Sequence, residues 1–415
     1  MKKIWFVSHY SMPPKYEMRI KTQKYAEYFV DKGYDVRIFS ASTIHNTNIN
    51  LITDKRLYIE EQYGKLRYTH IRCRNYTGNG IKRILNMQDF CRRFNRVASH
   101  YEKPDVVVAD LNCVHYYQIY KFCKKNKIRF YIDMRDMWPL SIVEYAGYSP
   151  KNPVIKLLYK MEKKMYERCD GILFNVEGGY DYIVDHKWTK KIPRNKCFYI
   201  NNGVDINEFN SSIANNVFQD HDLETDKFKV VYTGSIREAN NIKAIFEAGL
   251  LAKNEGINDI TFILYGSGPD KDYYEKLVSE NDLPIIFKGQ TEKKYIPYIL
   301  SKADVTILNY KKSSTLKYGG SQNKLFEYMA AKKPVIVTIP MNYNLVESFN
   351  CGSTLSEPTG QLILKAVKEI KDLFENHKND YLAMCERSYE CAKQFDYSIL
   401  SAKLESIVFK EDKYD

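Results

Sequence analysis

The sequence predicts an α/β protein of two doubly wound domains, each a parallel sheet between layers of helices. A chain of 415 residues is too long for one comfortable core and suits two domains of about 200 residues each. The chain opens with a strand, a loop, a helix and a strand, and this order restarts at Phe228. Glycine-rich turns follow several strands of the second half. We predict domains at 1–205 and 206–395, a linker within 210–226, and a C-terminal helical segment at 396–415.

The composition is that of an ordinary globular protein with a basic excess. Hydrophobic residues make up 44% of the chain and charged residues 27%. The 63 Lys and Arg against 51 Asp and Glu give a net charge of +12. This charge predicts an anionic partner: nucleotide phosphates, a lipid diphosphate, an acidic membrane surface or nucleic acid.

Cysteine spacing and the lengths of the apolar runs exclude several classes. The nine cysteines are scattered singly without a Cys-x-x-Cys pair, which favours buried thiols in a reducing compartment over disulfides or a zinc site. The apolar run at 4–7 is too short for a signal peptide and indicates a strand. No stretch approaches the about 20 apolar residues that span a bilayer, so any membrane attachment is expected to be peripheral.

The first predicted strand, 3–8, is followed by a loop, a helix at about 18–31 and a second strand at 35–40. Ligands of such sheets bind beyond the carboxyl ends of the strands. The loop 9–19 is therefore a candidate ligand site, with His9 and Arg19 as its candidate side chains.

Two basic segments of the first half have apolar residues near helical spacing. Segment 81–103 has six basic residues against two acidic ones, and 151–168 is similar. Either segment is explained by an amphipathic helix on an anionic membrane or by a solvated basic face over a core stripe.

A buried strand at 128–133 ends in the charged stretch 133–139, Asp-Met-Arg-Asp-Met-Trp-Pro. Charged residues directly after such a strand stand at the mouth of the sheet, where chemistry takes place. Asp136 is the candidate for a polar group that faces a ligand at this edge. The alternative is that Asp136 caps a helix before the Trp-Pro turn.

The second half has two strand-to-turn junctions that suit phosphate. Strand 228–233 runs into Gly234-Ser235-Ile236-Arg237 and a helix at 240–254, and strand 261–265 runs into Gly266-Ser267-Gly268-Pro269. Glycines allow backbone N–H groups to approach an anion closely, and a helix N-terminus favours negative charge.

Segment 319–336 predicts a loop, a short helix and a strand, and carries the strongest ligand signal. Two glycines and Ser321 precede Lys324, a cation in the first helical turn, where an ammonium is unfavourable unless an anion is near. Glu327 lies on the same helical face and suits two sugar hydroxyls. A glycine loop before a core helix with solvated Lys and Glu is the alternative.

These motifs together resemble the retaining GT-B glycosyltransferases of family 4, in the branch that builds capsule, O-antigen and other bacterial surface polysaccharides. Segment 321–336 is similar to the donor-binding segment of that family, and 133–139 to its Val-Arg-Asp-Leu-Trp-Pro motif. Asn202-Gly203-Val204-Asp205 with Phe209 resembles the hinge signature. The resemblance implies two Rossmann-like domains facing across a cleft, with the C-terminal helix crossing back to the first.

The resemblance also implies a donor site in the second half. Glu327 matches the second glutamate of a Glu-x7-Glu motif, which holds the donor ribose, whereas the first glutamate is replaced by Gly319. The family's arginine and lysine after the first turn are replaced by Ser235 and Asn240, so we assign the diphosphate to Arg237 and Lys324. The implied donor-binding residues are Gly234, Ser235, Arg237, Gly266, Gly289, Gly320, Ser321, Lys324, Leu325 and Glu327.

The resemblance implies transfer of a hexose-type sugar from a nucleoside diphosphate sugar, with UDP favoured, to a glycan or a lipid-diphosphate-linked acceptor. The implied catalytic residues are Asp136, Arg237 and Lys324, and His9, Arg19 and Asp136 face the acceptor. We expect no metal and no other cofactor. We expect a cytoplasmic protein, with peripheral contact on the inner face of the membrane as an open alternative.

Two other classes stay open. A sugar-nucleotide epimerase shares this two-domain fold and needs acid and base groups, for which the chain offers chiefly His9, Asp136 and Glu327. A non-catalytic basic protein that binds nucleotides or nucleic acid is the other class. Basic and acidic residues are interleaved throughout the chain without a nucleic-acid-binding signature, so we expect no nucleic-acid partner.

Overall fold

A computed structural model describes residues 1–16, 20–45, 47–78 and 80–410. The chain forms two compact units: the first contains Met1–Asn201 and the segment from Tyr397 onward, and the second contains Asn202–Asp396. Both have parallel sheets covered by helices, which confirms the predicted α/β class. The limits of the units lie close to the predicted boundaries at 205/206 and 395/396.

The first unit is built on an eight-stranded sheet of order β3-β4-β2-β1-β5-β6-β7-β8. Its pairs are parallel except β3 with β4, a hairpin turned at Gly64, where φ is +59°. The alternation in 46–100 is too irregular to predict this hairpin. The strands are β1 Lys3–Ser8, β2 Asp35–Ala41, β3 Tyr58–Tyr63, β4 Leu66–Ile71, β5 Val106–Asp110, β6 Arg129–Met134, β7 Gly171–Phe174 and β8 Cys197–Tyr199.

The helices Lys21–Asp31, Ile81–Ala98 and Pro153–Arg168 of the first unit lie close to the predicted positions, whereas Leu140–Ala146 and Gly179–Asp185 were not predicted. The C-terminal helix packs on the first one, and Glu405 accepts hydrogen bonds from the hydroxyls of Tyr28 and Tyr34, both at 2.7 Å. These contacts explain why the end of the chain belongs to the first unit. The helices are α1 Lys21–Asp31, α2 Ile81–Ala98, α3 Tyr117–Lys125, α4 Leu140–Ala146, α5 Pro153–Arg168, α6 Gly179–Asp185 and α15 Tyr397–Val408.

The second unit has a six-stranded parallel sheet of order β11-β10-β9-β12-β13-β14. Its central strands β9, β10, β12 and β13 are nearly continuous apolar runs because helices cover both faces of the sheet. The strands are β9 Phe228–Thr233, β10 Ile260–Tyr265, β11 Ile285–Gly289, β12 Val305–Leu308, β13 Val335–Val337 and β14 Gly352–Thr354. The helices are α7 Ile206–Asn215, α8 Ile242–Asn254, α9 Lys271–Glu280, α10 Ile296–Ser301, α11 Asn323–Ala330, α12 Leu345–Ser348, α13 Gly360–Asn376 and α14 Lys378–Gln394.

The predicted linker at 210–226 is wrong. Residues up to Asn215 continue α7, whose first turn is capped by the Asp205 carboxylate accepting from the N–H of Glu208 at 2.9 Å. Phe209 is 5% exposed and anchors the helix. The segment is polar because it forms a surface helix, and a polar surface helix has the composition of a linker.

The structure also shows the state of the cysteines and the length and apolarity of the helices. All nine cysteines lie within the described residues, and each is buried and unpaired, as their single spacing predicts. Within the described residues, no helix is both long enough and apolar enough to cross a membrane.

Candidate functional site

Three strand ends of the second unit form a tight layer of glycine turns. The N–H of Gly234 donates to Tyr265 O at 2.9 Å, and the N–H of Gly266 donates to Gly289 O at 2.7 Å. A Cβ on Gly266, where φ is +151°, would lie 1.7 Å from Gly234 O. Glycine is therefore required at 266, and the structure brings together the three turns that the sequence assigns to the donor.

Helix α11 carries Lys324 onto this layer. The helix contacts β9 through the Tyr328 hydroxyl, which accepts a hydrogen bond from the N–H of Thr233 at 2.9 Å. The Lys324 Nζ lies 3.1 Å from the Tyr232 hydroxyl and 4.3 Å from the centroid of the Tyr232 ring. A Cβ on Gly234 would lie 2.8 Å from the same nitrogen. The ammonium therefore rests directly on the backbone of the Gly234 turn.

The charges of this site are arranged for an anion. Burial, and after it the nearby Arg237 guanidinium, lower the pKa of Lys324 to about 7 against the opposing effect of Glu327. Burial raises the pKa of Glu327 against the pull of Lys293 and Lys324. Both side chains keep part of their surface exposed although protein atoms crowd them on most sides. A bound polyanion would return the full charge to Lys324.

The two positions that depart from the family pattern form a hydrogen-bonded pair. The Asn240 side-chain amide donates to the Ser235 hydroxyl at 2.8 Å and to the Ser235 carbonyl at 2.7 Å. Asn240 is buried, whereas Ser235 and Arg237 are exposed on the turn. The pair fixes the turn without adding positive charge. Among the residues that the sequence assigns to the diphosphate, the positive charge beside this turn therefore comes from Arg237 and Lys324.

The loop before α11 presents backbone and one unsatisfied side-chain oxygen. Gly319 has φ +103°, and a Cβ on Gly320 would lie 2.7 Å from the Gln322 Oε1. That buried oxygen has no hydrogen-bond partner among the described residues. Ser321 accepts from the Asn202 amide through its carbonyl at 2.7 Å. The Leu325 side chain is buried in the core, so only its backbone could face a ligand.

The sequence reasoning missed a charged cluster beside the Gly289 turn. Lys288 on β11 forms an ion pair with Asp220 at 2.6 Å and another with Asp222. The Tyr265 hydroxyl donates to the other oxygen of Asp220 at 2.5 Å. The segment that resembles a linker thus ties down the carboxyl ends of β10 and β11, and its composition carries no signal of this contact.

In the first unit, His9 lies at the carboxyl end of β1 but is buried. Its Nε2 lies 2.5 Å from the Asn86 Oδ1, while the amide nitrogen of Asn86 donates to Thr43 at 3.0 Å and to the Arg74 carbonyl. That orientation makes Nε2 the protonated nitrogen. Nδ1 has no partner in the described part of the chain, and burial, opposed by the Asn86 contact, lowers the pKa of His9 to about 3. His9 is therefore a neutral hydrogen-bonding group.

Asp136 follows β6 and is exposed, as a group that faces a ligand must be. Helix α4 starts at Leu140 with Pro139 as its N-cap residue, so Asp136 does not occupy the N-cap position. The other candidate of this edge, Arg19, lies outside the described residues.

A buried ionic network at the same edge was also missed. Lys21 on α1 contacts Asp133 at 3.2 Å, and Arg135 contacts Asp133 at 3.1 Å and Asp110 at 3.3 Å. Asp110 also accepts from the Ser8 hydroxyl at 3.0 Å. Burial alone would raise the pKa of Asp133, but Lys21 and Arg135 hold it below its usual range. Lys21 precedes Asp133 by more than a hundred residues, so sequence spacing contains no signal of the pair.

Two family models match the two halves of the chain. Residues 22–208 match the model described as "Glycosyltransferase Family 4", and residues 227–375 match the one described as "Glycosyl transferases group 1". The chain is a GT-B protein made of two glycosyltransferase domains. The turns around Gly234 and Lys324 fall within the second of these domains.

Among the relatives of this GT-B protein is the "Putative teichuronic acid biosynthesis glycosyltransferase TuaH" of Bacillus subtilis (strain 168), 29% identical over 191 residues. That match spans 44% of each chain. Sucrose-phosphate synthase from Thermosynechococcus elongatus has a similar structure, with 16% identity, 99% of each chain covered and a TM-score of 0.72. HepE from Anabaena in complex with UDP is also similar, with 13% identity, coverage of 99% and 100%, and a TM-score of 0.68.

Proposed function

We propose that this GT-B protein is a retaining glycosyltransferase that moves a hexose-type sugar from a nucleoside diphosphate sugar to a glycan or a lipid-linked glycan. The carrying observation is the Lys324 ammonium on the Gly234 turn, 2.8 Å from the position of a Cβ there. The diphosphate would occupy this corner, between the turn and the first turn of α11. Glu327, one helical turn along, would accept hydroxyls of the ribose.

The chemistry asked of this corner is stabilisation of the leaving nucleoside diphosphate. Negative charge grows on the diphosphate as the bond to the sugar breaks, and fixed positive groups lower the barrier most where charge develops. Lys324, Arg237 and the N–H groups at the start of α11 meet that need. Asp136 of the first domain would contact the acceptor or the transferred sugar.

Metal independence and retention belong to the same proposal. Within the described residues, no three His, Cys, Asp or Glu side chains gather in a way that could hold a metal ion, and Lys324 and Arg237 offer the compensating charge. Retention would follow from attack on the face that the phosphate leaves, with the phosphate as base. Gly319, where the family has its first glutamate, leaves that face without a carboxylate from this position.

UDP is the proposed nucleotide, and a bacterial surface polysaccharide is the proposed product. HepE, of the same fold, is described in complexes with UDP and with UDP-glucose. TuaH is named for teichuronic acid biosynthesis. Both statements concern those proteins, and they guide the choice of the first donors and acceptors to assay with this chain.

We also propose peripheral contact with an anionic membrane through the first turns of α2 and α5. Five large apolar side chains there are exposed by 39% to 75%: Ile81, Ile84, Leu85, Val154 and Leu157. The turn at 112–115 touches both helices, since Cys113 Sγ lies 3.6 Å from Leu158 O and the Asn112 amide lies 3.9 Å from Met87 Sδ. Exposed lysines flank the apolar residues, so the surface suits a lipid-linked acceptor.

The test is a donor screen with purified protein, in which UDP-, GDP-, ADP- and CDP-linked sugars are offered with glycan and lipid-diphosphate acceptors in EDTA. The expected result is a product heavier than the acceptor by one sugar residue, with the anomeric configuration of the donor. Conversion of the donor sugar without an acceptor would indicate the epimerase alternative. Nucleotide binding without turnover of any donor would indicate a non-catalytic protein.

A further inference from the structure

We infer that the Tyr232 hydroxyl is a positioning group that holds the Lys324 ammonium at the diphosphate corner of the donor site. This inference rests on the proposed function and adds a residue to it. Tyr232 lies on β9, two residues before the Gly234 turn, and the sequence contains no signal that connects it to Lys324, 92 residues later.

The direction of the hydrogen bonds follows from the partners. The Tyr232 hydroxyl lies 2.9 Å from the carbonyl oxygen of Ser235, which only accepts, so the hydroxyl proton points there. A lone pair of the same oxygen is then left to face the Lys324 Nζ at 3.1 Å. The hydroxyl oxygen is thus committed as an acceptor for the ammonium.

The Lys324 ammonium uses one N–H group for the hydrogen bond to Tyr232 and has two N–H groups left for a ligand. Among the described residues, Tyr232 is its single hydrogen-bond partner, while the Tyr232 and Tyr310 rings lie 4.3 and 5.0 Å from it. An ammonium has three donors, so two remain for diphosphate oxygens. Arg237 repels Lys324 and Glu327 attracts it, and the Tyr232 bond opposes displacement toward Glu327.

Tyr232 acts through Lys324 and not by contact with the donor. Its side chain is 0% exposed, and its oxygen is occupied by Ser235 and Lys324. The role matters here because Ser235 and Asn240 replace the family's arginine and lysine. Those two cations would otherwise also bind the diphosphate. Because Ser235 and Asn240 are uncharged, diphosphate binding depends more strongly on the position of the Lys324 ammonium.

The experiment measures nucleoside diphosphate affinity by calorimetry with Tyr232→Phe, Lys324→Met and the double variant, using whichever of UDP, GDP, ADP and CDP binds the wild-type protein most tightly. Tyr232→Phe keeps the ring and removes the acceptor, so we expect affinity about tenfold weaker, the effect of one hydrogen bond to a charged group. The same substitution in the Lys324→Met background should change affinity less than twofold, because the group it positions is gone.

Tyr381→Phe is the matched control. Tyr381 is 4% exposed, and its hydroxyl donates to the Asp304 carbonyl at 2.7 Å, before β12 and thus at the amino edge of the same sheet. This variant should share any melting-temperature loss of Tyr232→Phe and keep wild-type affinity.

The pH profile gives a second readout. Loss of the acceptor destabilises the charged form of Lys324, so the pH above which affinity falls should move downward in Tyr232→Phe. Wild-type affinity in Tyr232→Phe, or an equal loss in the Lys324→Met background, overturns the inference and leaves the donor site intact. A wild-type protein that binds none of the four nucleotides overturns the proposed function and this inference with it.

Discussion

Replacing Glu162 by Gln should make the first unit more stable at neutral and alkaline pH. Glu162 on α5 is 0% exposed, and its two oxygens accept hydrogen bonds from the hydroxyls of Tyr166 at 2.8 Å and Tyr182 at 2.7 Å. Burial raises the pKa of Glu162 from 4.5 to about 8 against the effect of these two bonds. Glutamine has the shape of the protonated acid and does not titrate, but its amide nitrogen only donates, so one of the two tyrosine hydroxyls has to accept from it instead of donating.

The magnitude follows from proton linkage. Well below pH 4.5 the carboxyl is protonated in both the folded and the unfolded chain, so it adds no penalty. As pH rises toward 8 the unfolded chain loses this proton while the folded chain keeps it, and the free energy of unfolding falls by about 1.4 kcal/mol per pH unit. At pH 7.5, about three units above the unfolded pKa, this corresponds to an upper bound of about 4 kcal/mol in favour of Glu162→Gln.

The assay is urea unfolding between pH 4.5 and 8.5, followed by tryptophan fluorescence. The chain has three tryptophans, Trp5, Trp138 and Trp188, and all lie in the first unit, so the signal reports that unit. Glu167→Gln, an exposed position of the same helix, is the control and should not change the pH slope. An equal pH dependence in Glu162→Gln and wild type would refute the reasoning.

The remaining predictions concern the donor site and the membrane. Glu327→Ala should weaken UDP binding by about 1.5 to 3 kcal/mol per lost ribose contact at an unchanged melting temperature, and unchanged affinity by calorimetry would contradict its role. Arg237→Ala should reduce kcat in a donor-hydrolysis or transfer assay far more than it reduces melting temperature, since its side chain is exposed. Gly266→Ala should destabilise the second unit by about 1–3 kcal/mol, because its Cβ would lie 1.7 Å from a backbone oxygen; a melting curve like that of wild type would exclude this packing. Binding to anionic vesicles can be measured by sedimentation. Leu157→Ser should weaken this binding at every salt concentration, and Arg92→Glu should weaken it mainly at low salt. Equal binding to anionic and neutral vesicles would argue for a soluble acceptor.

Arg92 is a better position than its neighbour Arg93 for testing the proposed membrane-binding surface. The Arg93 guanidinium donates to the Arg72 carbonyl, so its replacement would also disturb the packing of α2 on the chain after β4. Arg92 is exposed. A change of charge there tests the surface with less risk to the fold.

Local pattern was sufficient for most of the architecture. The β1, β9 and α15 elements lie where the sequence predicts them, because apolar runs and helical periodicity are properties of neighbouring residues. The glycine turns at Gly234 and Gly266 were predictable for the same reason, since a positive φ at a strand end is a local demand. Polar segments were harder, and α7 shows why: hydrophilic composition is shared by linkers and surface helices.

The sequence by itself determined the two α/β halves, the strand ends and the residue types of the donor site. Only the tertiary structure decided which of these residues meet: Tyr232 with Lys324, Lys288 with Asp220, and Lys21 with Asp133. Each pair joins side chains far apart in the chain, and their contact depends on strand order and helix seating rather than on spacing. The pKa of Lys324 follows from the same packing, because burial and the nearby Arg237 charge exist only once the chain is folded.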